Sequence, residues 1–281
     1  QDALGPYGRD ELDAITVRYT PRVTDQMPSA PADAHLGGAA WSFYVTFDHR
    51  RTVTADRSFR LALAHAVDRL ALAEALPANL ILATGGVVPP ALQGHTPDIV
   101  PRFDPDRARE YLRRSGFDGT IELLDVEERA SLSRIVVEGW RDTLGIDLRA
   151  RVLSLPEVMA LRDPWSVAPL VVSGWLPGYP DPEYFLRLLL HSESKTNEGG
   201  FADPAFDALI ERARQERDDR ARLELFHQAD RMAVAEQVAL LPLAYGRSMA
   251  FVKPWVDGWW EFGKSSASFA DLTIDPSSPR A

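Results

Sequence analysis

Apolar positions in the first 75 residues change from a strand period to a helix period. Residues 10–20 and 41–47 place apolar side chains at every second position, which predicts two strands. Residues 21–40 carry three prolines and a Gly-Gly pair, so they predict a loop or linker. Residues 56–75 predict one amphipathic helix, because their apolar side chains recur at helical spacing. The apolar positions of that helix are Phe59, Leu63, Ala66, Val67 and Leu70.

The central part of the chain alternates strand and helix patterns. Residues 120–126 predict a strand, residues 132–144 a helix that ends at Gly145, and residues 147–154 a second strand. A strand, helix and strand within about 35 residues form a βαβ unit, which implies parallel strands and a right-handed crossover. The apolar run 170–172 is typical of a strand buried on both faces.

Helix-start signals occur before the remaining helices. Asp104-Pro105 and Asp203-Pro204 combine an N-cap with a proline suited to the first turn, and Asp218-Asp219 starts another helix. Strands are predicted at residues 239–245, 249–252 and 269–274, and a helix at 183–190. Together these elements predict an α/β fold with a mixed sheet flanked by helices.

The composition excludes or disfavours several classes of function. The 281 residues contain no cysteine, which excludes disulfides, thiol catalysis and cysteine-based zinc sites. The net charge of −10 disfavours nucleic acid and anionic membrane as partners. No apolar run reaches the roughly 20 residues of a transmembrane helix.

The sequence also lacks the arrangements that an enzyme or a metal site requires. No two of the six histidines are three to five residues apart, so no helical metal pair is present. No nucleophile elbow, dinucleotide fingerprint or phosphate loop occurs. We therefore expect neither catalytic residues nor a metal nor a cofactor.

The most unusual segment is residues 174–182, with two aromatic residues, two glycines and three prolines. It follows a buried strand, and ligands of open α/β sheets bind beyond the carboxyl ends of strands. Trp175 and Tyr179 each offer a flat apolar ring with one polar group. The residues alone leave two interpretations open: a ligand-contacting loop, or a packed turn whose aromatic rings cap the core.

Four ordered blocks of sequence resemble the second half of the family 5 bacterial extracellular solute-binding proteins. They lie at 53–69, 88–117, 174–186 and 197–243. The third block contains Gly174-Trp175 and Tyr179-Pro180-Asp181-Pro182, which is similar to a signature of the oligopeptide-, dipeptide- and nickel-binding members.

The resemblance implies a class II periplasmic-binding-protein fold, whose two lobes close on a ligand. We expect residues 1–40 to be a remnant of the first lobe plus a linker, and 41–255 to be the second lobe. Residues 256–281 would return to the first lobe. The chain is then a truncated form or a part of a longer protein, and half of the binding cleft lies outside it.

The resemblance also implies which residues contact the ligand: Gly174, Trp175, Gly178, Tyr179 and Asn197. In many peptide-binding members an aspartate three residues after the tryptophan pairs with the ligand's α-amino group. Here that position is Gly178, so recognition of a free peptide N-terminus through this position is not expected.

Three functions remain from the sequence. The first is the solute-binding component of an ABC importer, with a small peptide or similar solute and an ABC permease as partners. Such a protein is extracellular or periplasmic, and can be lipid-anchored upstream. The second is a cytoplasmic ligand sensor fused to a transcriptional regulator, and the third is a hydrolase. The residues that precede Gln1 would distinguish the first two.

Overall fold

The computed structural model describes residues 4–17, 34–76, 80–127, 130–161, 163–258 and 272–275. Within these residues a seven-stranded mixed sheet has the strand order β1-β7-β2-β6-β4-β5, and β3 pairs separately with β7. Its strands are β1 (Ala14–Val17), β2 (Ala34–Phe47), β3 (Leu80–Leu82), β4 (Thr120–Val126), β5 (Asp147–Leu153), β6 (Leu170–Trp175) and β7 (Leu240–Val252). A separate short pair joins β8 (Val256–Asp257) to β9 (Thr273–Ile274).

Helices cover both faces of the large sheet. They are α1 (Leu4–Gly8), α2 (Thr52–Ala55), α3 (Arg57–His65), α4 (Arg69–Glu74), α5 (Pro105–Ser115), α6 (Ala130–Leu144), α7 (Leu155–Ala160), α8 (Glu183–Leu190), α9 (Pro204–Gln215) and α10 (Asp219–Arg231). The predicted helix starts are confirmed, because the Asp104, Asp203 and Asp218 carboxylates each accept a backbone N–H of the first turn.

The predicted βαβ unit is confirmed as β4–α6–β5. Its two strands pair in parallel from Thr120–Asp147 to Val126–Leu153. Gly145, with φ of +69°, ends α6 in the left-handed region that favours glycine. On its other side β4 pairs in parallel with β6, but only at Leu123–Leu170 and Leu124–Val171.

Alternating residues of β2 divide the core into two parts. Phe43, Val45 and Phe47 are buried in a cluster with residues of α3 to α6, including Trp140. Tyr44 belongs to the opposite cluster, which is built mainly from α8, α9 and α10. The sheet is therefore covered on both faces, and a β2 residue joins one cluster or the other according to its position in the alternation.

Two predictions about the ends of elements were wrong. Residues 34–40 belong to β2 and pair with β7, although their glycines predicted a loop. The helix predicted over 56–75 is broken after His65, because Asp68 accepts the N–H groups of Leu70 and Ala71 and starts α4. Leu70 is consequently 79% exposed.

The C-terminal strands also differ from the prediction. Residues 240–252 form one continuous strand, because β2 pairs along nearly all of it.

Residues 18–20 of the first predicted strand and 269–271 of the last lie outside the described residues, as do 21–33 of the predicted linker. The division at 40/41 and 255/256 stays a prediction, while β1 pairs with β7 in the main sheet.

Arg60 connects α3 to the turn before β7. It is 3% exposed, and its guanidinium donates to the carbonyls of Thr54, Ala55, Gln237 and Val238 at 2.8–3.0 Å. Burial lowers the pKa of Arg60 to about 10, so the group remains charged at neutral pH. Its removal would leave four carbonyls without this donor.

We predict that Arg60→Met lowers the free energy of unfolding by about 3 kcal/mol, because buried acceptors lose their donor. Arg57→Met is the matched control: Arg57 is exposed and donates to one carbonyl, that of Glu236, so its loss costs about 1 kcal/mol or less. Urea unfolding measures both. Equal destabilisation by the two substitutions would contradict a special role for Arg60.

Asp230 is fully buried on α10 and faces the segment that follows β3. Its Oδ1 accepts the Val87 N–H at 2.9 Å, and a Cβ at Gly86 would lie 1.7 Å from its Oδ2. Burial raises the pKa of this carboxyl from 3.8 to about 7, although the Val87 N–H opposes the shift. The folded protein therefore holds a proton on Asp230 at a pH where the unfolded chain has released it.

Because the folded pKa lies above the unfolded one, Asp230 makes the free energy of unfolding fall as pH rises from about 4 to about 7. Asp230→Asn removes this contribution and flattens the profile, as measured by urea unfolding between pH 4.5 and 8. Asp106→Asn, at a highly exposed position, is the control for the loss of one surface carboxylate. Parallel profiles for Asp230→Asn and the unmodified protein would rule out a buried, titrating Asp230.

Candidate functional site

A cavity of about 320 Å³ lies on the sheet face opposite the α3–α6 helices. Its floor includes Tyr44 and Thr46 of β2 and Val171 and Ser173 of β6. These residues are adjacent because Tyr44 pairs with Ser173 and Thr46 with Val171. The cavity is thus at the carboxyl end of β6, where ligands of α/β sheets bind.

Two packed groups form the walls of the cavity. On one side are Leu155 and Val158 of α7 with Trp165, which packs in a small cluster with Leu124 and Val171. On the other side are Leu189 of α8 and the segment 196–199. The cavity is therefore lined by residues of α7, of α8 and of the segment 196–199 as well as by the sheet.

The end of β6 has a strand neighbour on one side. β2 pairs with it as far as Trp175, whereas β4 pairs with it no further than Val171. From Ser173 to Trp175, therefore, β2 is its single paired strand among the described residues. Main-chain groups on the other side are available to an added strand.

Trp175 lines the cavity and is held by α8. Its indole Nε1 donates to the Tyr184 carbonyl at 3.0 Å, and the two rings lie 5.8 Å apart. Tyr184 also packs edge-on against Tyr179, with ring centroids 4.7 Å apart. The Trp175 ring is half-buried and oriented by these contacts, with no ligand required to fix it.

The loop that carries Trp175 is anchored at its far end. Asp181 accepts the Glu183 N–H at 2.9 Å and an Arg222 N–H at 2.8 Å. Pro182 packs so closely on Gly94 that a Cβ there would lie 2.9 Å from its ring. The Pro-Asp-Pro part of the signature therefore attaches the loop to α10 and to the segment 83–100.

A family model described as bacterial extracellular solute-binding proteins, family 5 Middle, matches residues 9–197, more than half of the chain. The chain belongs to this family. The resemblance seen in the four sequence blocks is therefore confirmed.

Curated relatives include the periplasmic murein peptide-binding protein MppA of Escherichia coli. It is 24% identical over 249 residues, which are 82% of this chain and 44% of MppA. Di/tripeptide-binding protein 4 of Pseudomonas aeruginosa is 28% identical over 202 residues, which are 68% of this chain and 38% of that protein. The chain thus spans about half the length, or less, of these relatives.

Solved structures show the fold. The E. coli murein tripeptide binding protein MppA superposes with a TM-score of 0.81 at 22% identity, covering 97% of this chain and 55% of MppA. DppA from Helicobacter pylori, in complex with the peptide STSA, gives a TM-score of 0.77 at 18% identity, covering 97% of this chain and 54% of DppA. The predicted α/β, periplasmic-binding-protein-like fold is confirmed.

Two of the five ligand contacts expected for a family 5 protein line the cavity: Gly174 and Trp175. Tyr179 lies outside the lining and is 46% exposed, and burial with nearby carboxylates raises the pKa of its phenol. At Gly178 a Cβ would lie 2.9 Å from Tyr184 Oη, so Tyr184 occupies the space of the missing side chain. The ligand roles of all five residues stay predictions.

Asn197 has a local function in this structure. Its Nδ2 donates to the carbonyls of Leu190, His191 and Phe201, and its Oδ1 accepts the Phe201 N–H. The amide is therefore fully engaged in shaping the segment 190–201, and it presents the neighbouring residues Thr196, Glu198 and Gly199 to the cavity.

Sequence reasoning missed several residues of the site. Tyr184 has no spacing relation to Trp175 that a strand or helix period would reveal, and its role follows from the loop's reversal. Ser173 and Thr46 reach one cavity only through the β2–β6 register. Their hydroxyls have no hydrogen-bond partner in the described part of the chain, so they are available to a ligand.

The described ranges contain no cluster of three or more residues suited to hold a metal ion. No described helix is both long enough and apolar enough to cross a bilayer.

We predict that Tyr184→Ala accelerates hydrogen exchange of the amides in residues 176–181 by about tenfold or more. Two aromatic contacts are lost, each worth about 0.5–1.5 kcal/mol. Tyr184→Phe is the control, because it keeps the ring, and both variants keep the main-chain carbonyl that accepts the Trp175 indole N–H. The anchoring role assigned to the Tyr184 ring fails if both variants exchange at the same rate.

Proposed function

We propose that this chain is the solute-binding part of an ABC importer, and that it holds a small peptide at the carboxyl end of β6 without catalysing a reaction. The observation that carries the proposal is that, among the described residues, β6 has no paired strand on its second side at residues 173–175, next to a cavity. An extended peptide can add to such a strand edge through its main chain.

Main-chain pairing would bind the backbone of the peptide, and the cavity would bind one of its side chains. The pairing is largely independent of peptide sequence, since every residue except proline offers both an N–H and a C=O group. The cavity of about 320 Å³ has the size of a small-ligand site and would receive a side chain of the peptide. Hydroxyls of Ser173 and Thr46 supply polar contacts on its floor.

The relatives favour a peptide among possible solutes. MppA and the P. aeruginosa protein are named for murein peptides and di/tripeptides, and the H. pylori neighbour was solved with a peptide bound. All are binding proteins, which favours transport over the regulator and hydrolase interpretations.

Location and partners follow from the same proposal. The family description is extracellular, so we place the protein in the periplasm or outside the cell, where it would deliver its ligand to an ABC permease. Closure of two lobes would shift the population of the protein toward the permease-competent form when ligand binds.

A tripeptide library tests the peptide proposal. The intact protein is unfolded, dialysed, refolded, incubated with the library, and analysed by native mass spectrometry. We expect tripeptide adducts, and isothermal titration with a retained tripeptide should show at least tenfold weaker binding for Trp175→Ala.

Trp255→Ala is the matched control for that titration. Trp255 is also half-buried with one indole hydrogen bond, to Asp13, but it does not line the cavity, so its loss should leave the affinity unchanged. Retention of a different solute with no tripeptide adduct would contradict the peptide assignment. Equal weakening of tripeptide binding by both variants would contradict the proposed location of the ligand in the cavity.

A further inference from the structure

Residues 83–104 join β3 to α5 through turns and bends alone. Buried side chains of neighbouring elements hold this segment in place. The Asp230 carboxyl of α10 accepts the Val87 N–H at 2.9 Å, and the Tyr245 hydroxyl of β7 donates to the Gly86 carbonyl at 2.7 Å. Because a segment without a helix or strand has few main-chain bonds of its own, it can open at a lower free energy than the sheet.

The Asp230 carboxyl is buried against this segment without a counter-ion. Within the described ranges it makes no ion pair, and its Oδ2 has no hydrogen-bond partner. The same oxygen lies so close to Gly86 that a Cβ there would be 1.7 Å away. An unpaired charge in such a place is costly, so the closed segment favours the protonated carboxyl. Opening admits water and favours the ionised form.

The other ionisable groups around the segment do not neutralise Asp230. Arg231, the next residue of α10, is exposed, and Arg69 of α4 donates to two main-chain carbonyls at 2.8 and 3.1 Å. On the segment itself, His95 hydrogen-bonds to a carbonyl of its own segment, and Asp98 is exposed. The residues that α8 and α9 bury are all apolar. The protonation state of Asp230 is therefore the variable that the closed segment controls.

The segment also supports the loop that carries Trp175, at both ends of that loop. The Val87 carbonyl accepts the Ser42 hydroxyl, and Ser42 pairs with Trp175 in the β2–β6 ladder. At the other end of the loop, Pro182 lies against Gly94. Opening of the segment would remove both supports.

We propose that the proton on Asp230 keeps residues 84–98 closed and thereby holds the loop 174–182 in place, so that the loop opens more readily as the pH rises. This inference rests on the proposed function only in assigning the loop to a ligand. The pKa of Asp230 is about 7 in the closed segment and returns toward 3.8 when water reaches the carboxyl. Opening therefore becomes easier between about pH 4 and 7 and changes little above that range.

Hydrogen exchange of the intact protein without ligand tests the proposal. Opening constants are obtained from the exchange rates after division by the intrinsic rate at each pH. From pH 5 to 7 they should rise at least tenfold for residues 86–96, and also rise for 176–181. Asp230→Asn should remove most of the rise. Asp98→Asn is the matched control, an exposed carboxylate on the same segment, and His95→Gln removes its histidine. Both should keep the rise.

The remaining outcomes contradict particular steps. If residues 86–96 exchange no faster than the amides of β4 and β5, the segment opens only with the whole chain and the proposal is wrong. The same conclusion follows if the unmodified protein shows no rise, or if the rise persists in Asp230→Asn or disappears in His95→Gln. A rise confined to 86–96 overturns the connection to the loop. Because no peptide is present, failure of the tripeptide screen contradicts the proposed function separately.

Discussion

The alternation of side chains along residues 42–47 of β2, which pair without a register shift with β6, is the constraint on which the core and the candidate site both depend. Phe43, Val45 and Phe47 pack under the α3–α6 helices, while Tyr44 and Thr46 face the other side. A slip of one residue in the β2–β6 pairing would move Val172 out of the core and Ser173 into it. Burial of these large side chains therefore fixes the register, and the register places the cavity floor.

Buried polar groups then fix the segments that the sheet does not reach. The Arg60 guanidinium joins the α2–α3 region to the turn before β7, and the Asp230 carboxyl joins α10 to Val87. Tyr245 adds a third connection, since its hydroxyl donates to the Gly86 carbonyl at 2.7 Å. Each of these groups bonds to particular main-chain partners. The bonds therefore specify one arrangement of the connected segments more than they add net stability.

Local signals in the sequence were sufficient wherever local chemistry decides the structure. The Asp-Pro caps, the glycine stop at Gly145 and the β4–α6–β5 unit were all predicted, because their hydrogen bonds join residues that are close along the chain. The strand at 34–40 was missed because pairing with β7, about 200 residues away, overrides the glycines at 37 and 38. Asp68 was likewise placed inside a helix, although its side chain caps a new one.

The candidate site likewise contains residues that the sequence predicted and residues that it did not. The aromatic loop at 174–182 was visible as a composition anomaly, and two of its residues line the cavity. Ser173, Thr46 and Glu198 come together only through strand register and the fold of the segment 190–201, which no periodicity encodes. Asn197 was selected by resemblance to a sequence block, and its hydrogen bonds shape that segment; its contact with a ligand stays a prediction.

The two open interpretations of the loop, packed turn and ligand surface, are compatible with one arrangement. Tyr184 and Arg222 hold the loop from behind, and the Trp175 ring faces the cavity already oriented. A side chain that is fixed before binding loses little rotational freedom when the ligand arrives, so more of the contact energy remains as affinity. If the loop contacts a ligand as proposed, the packing of Tyr184 against its rear would fix the Trp175 ring before the ligand binds.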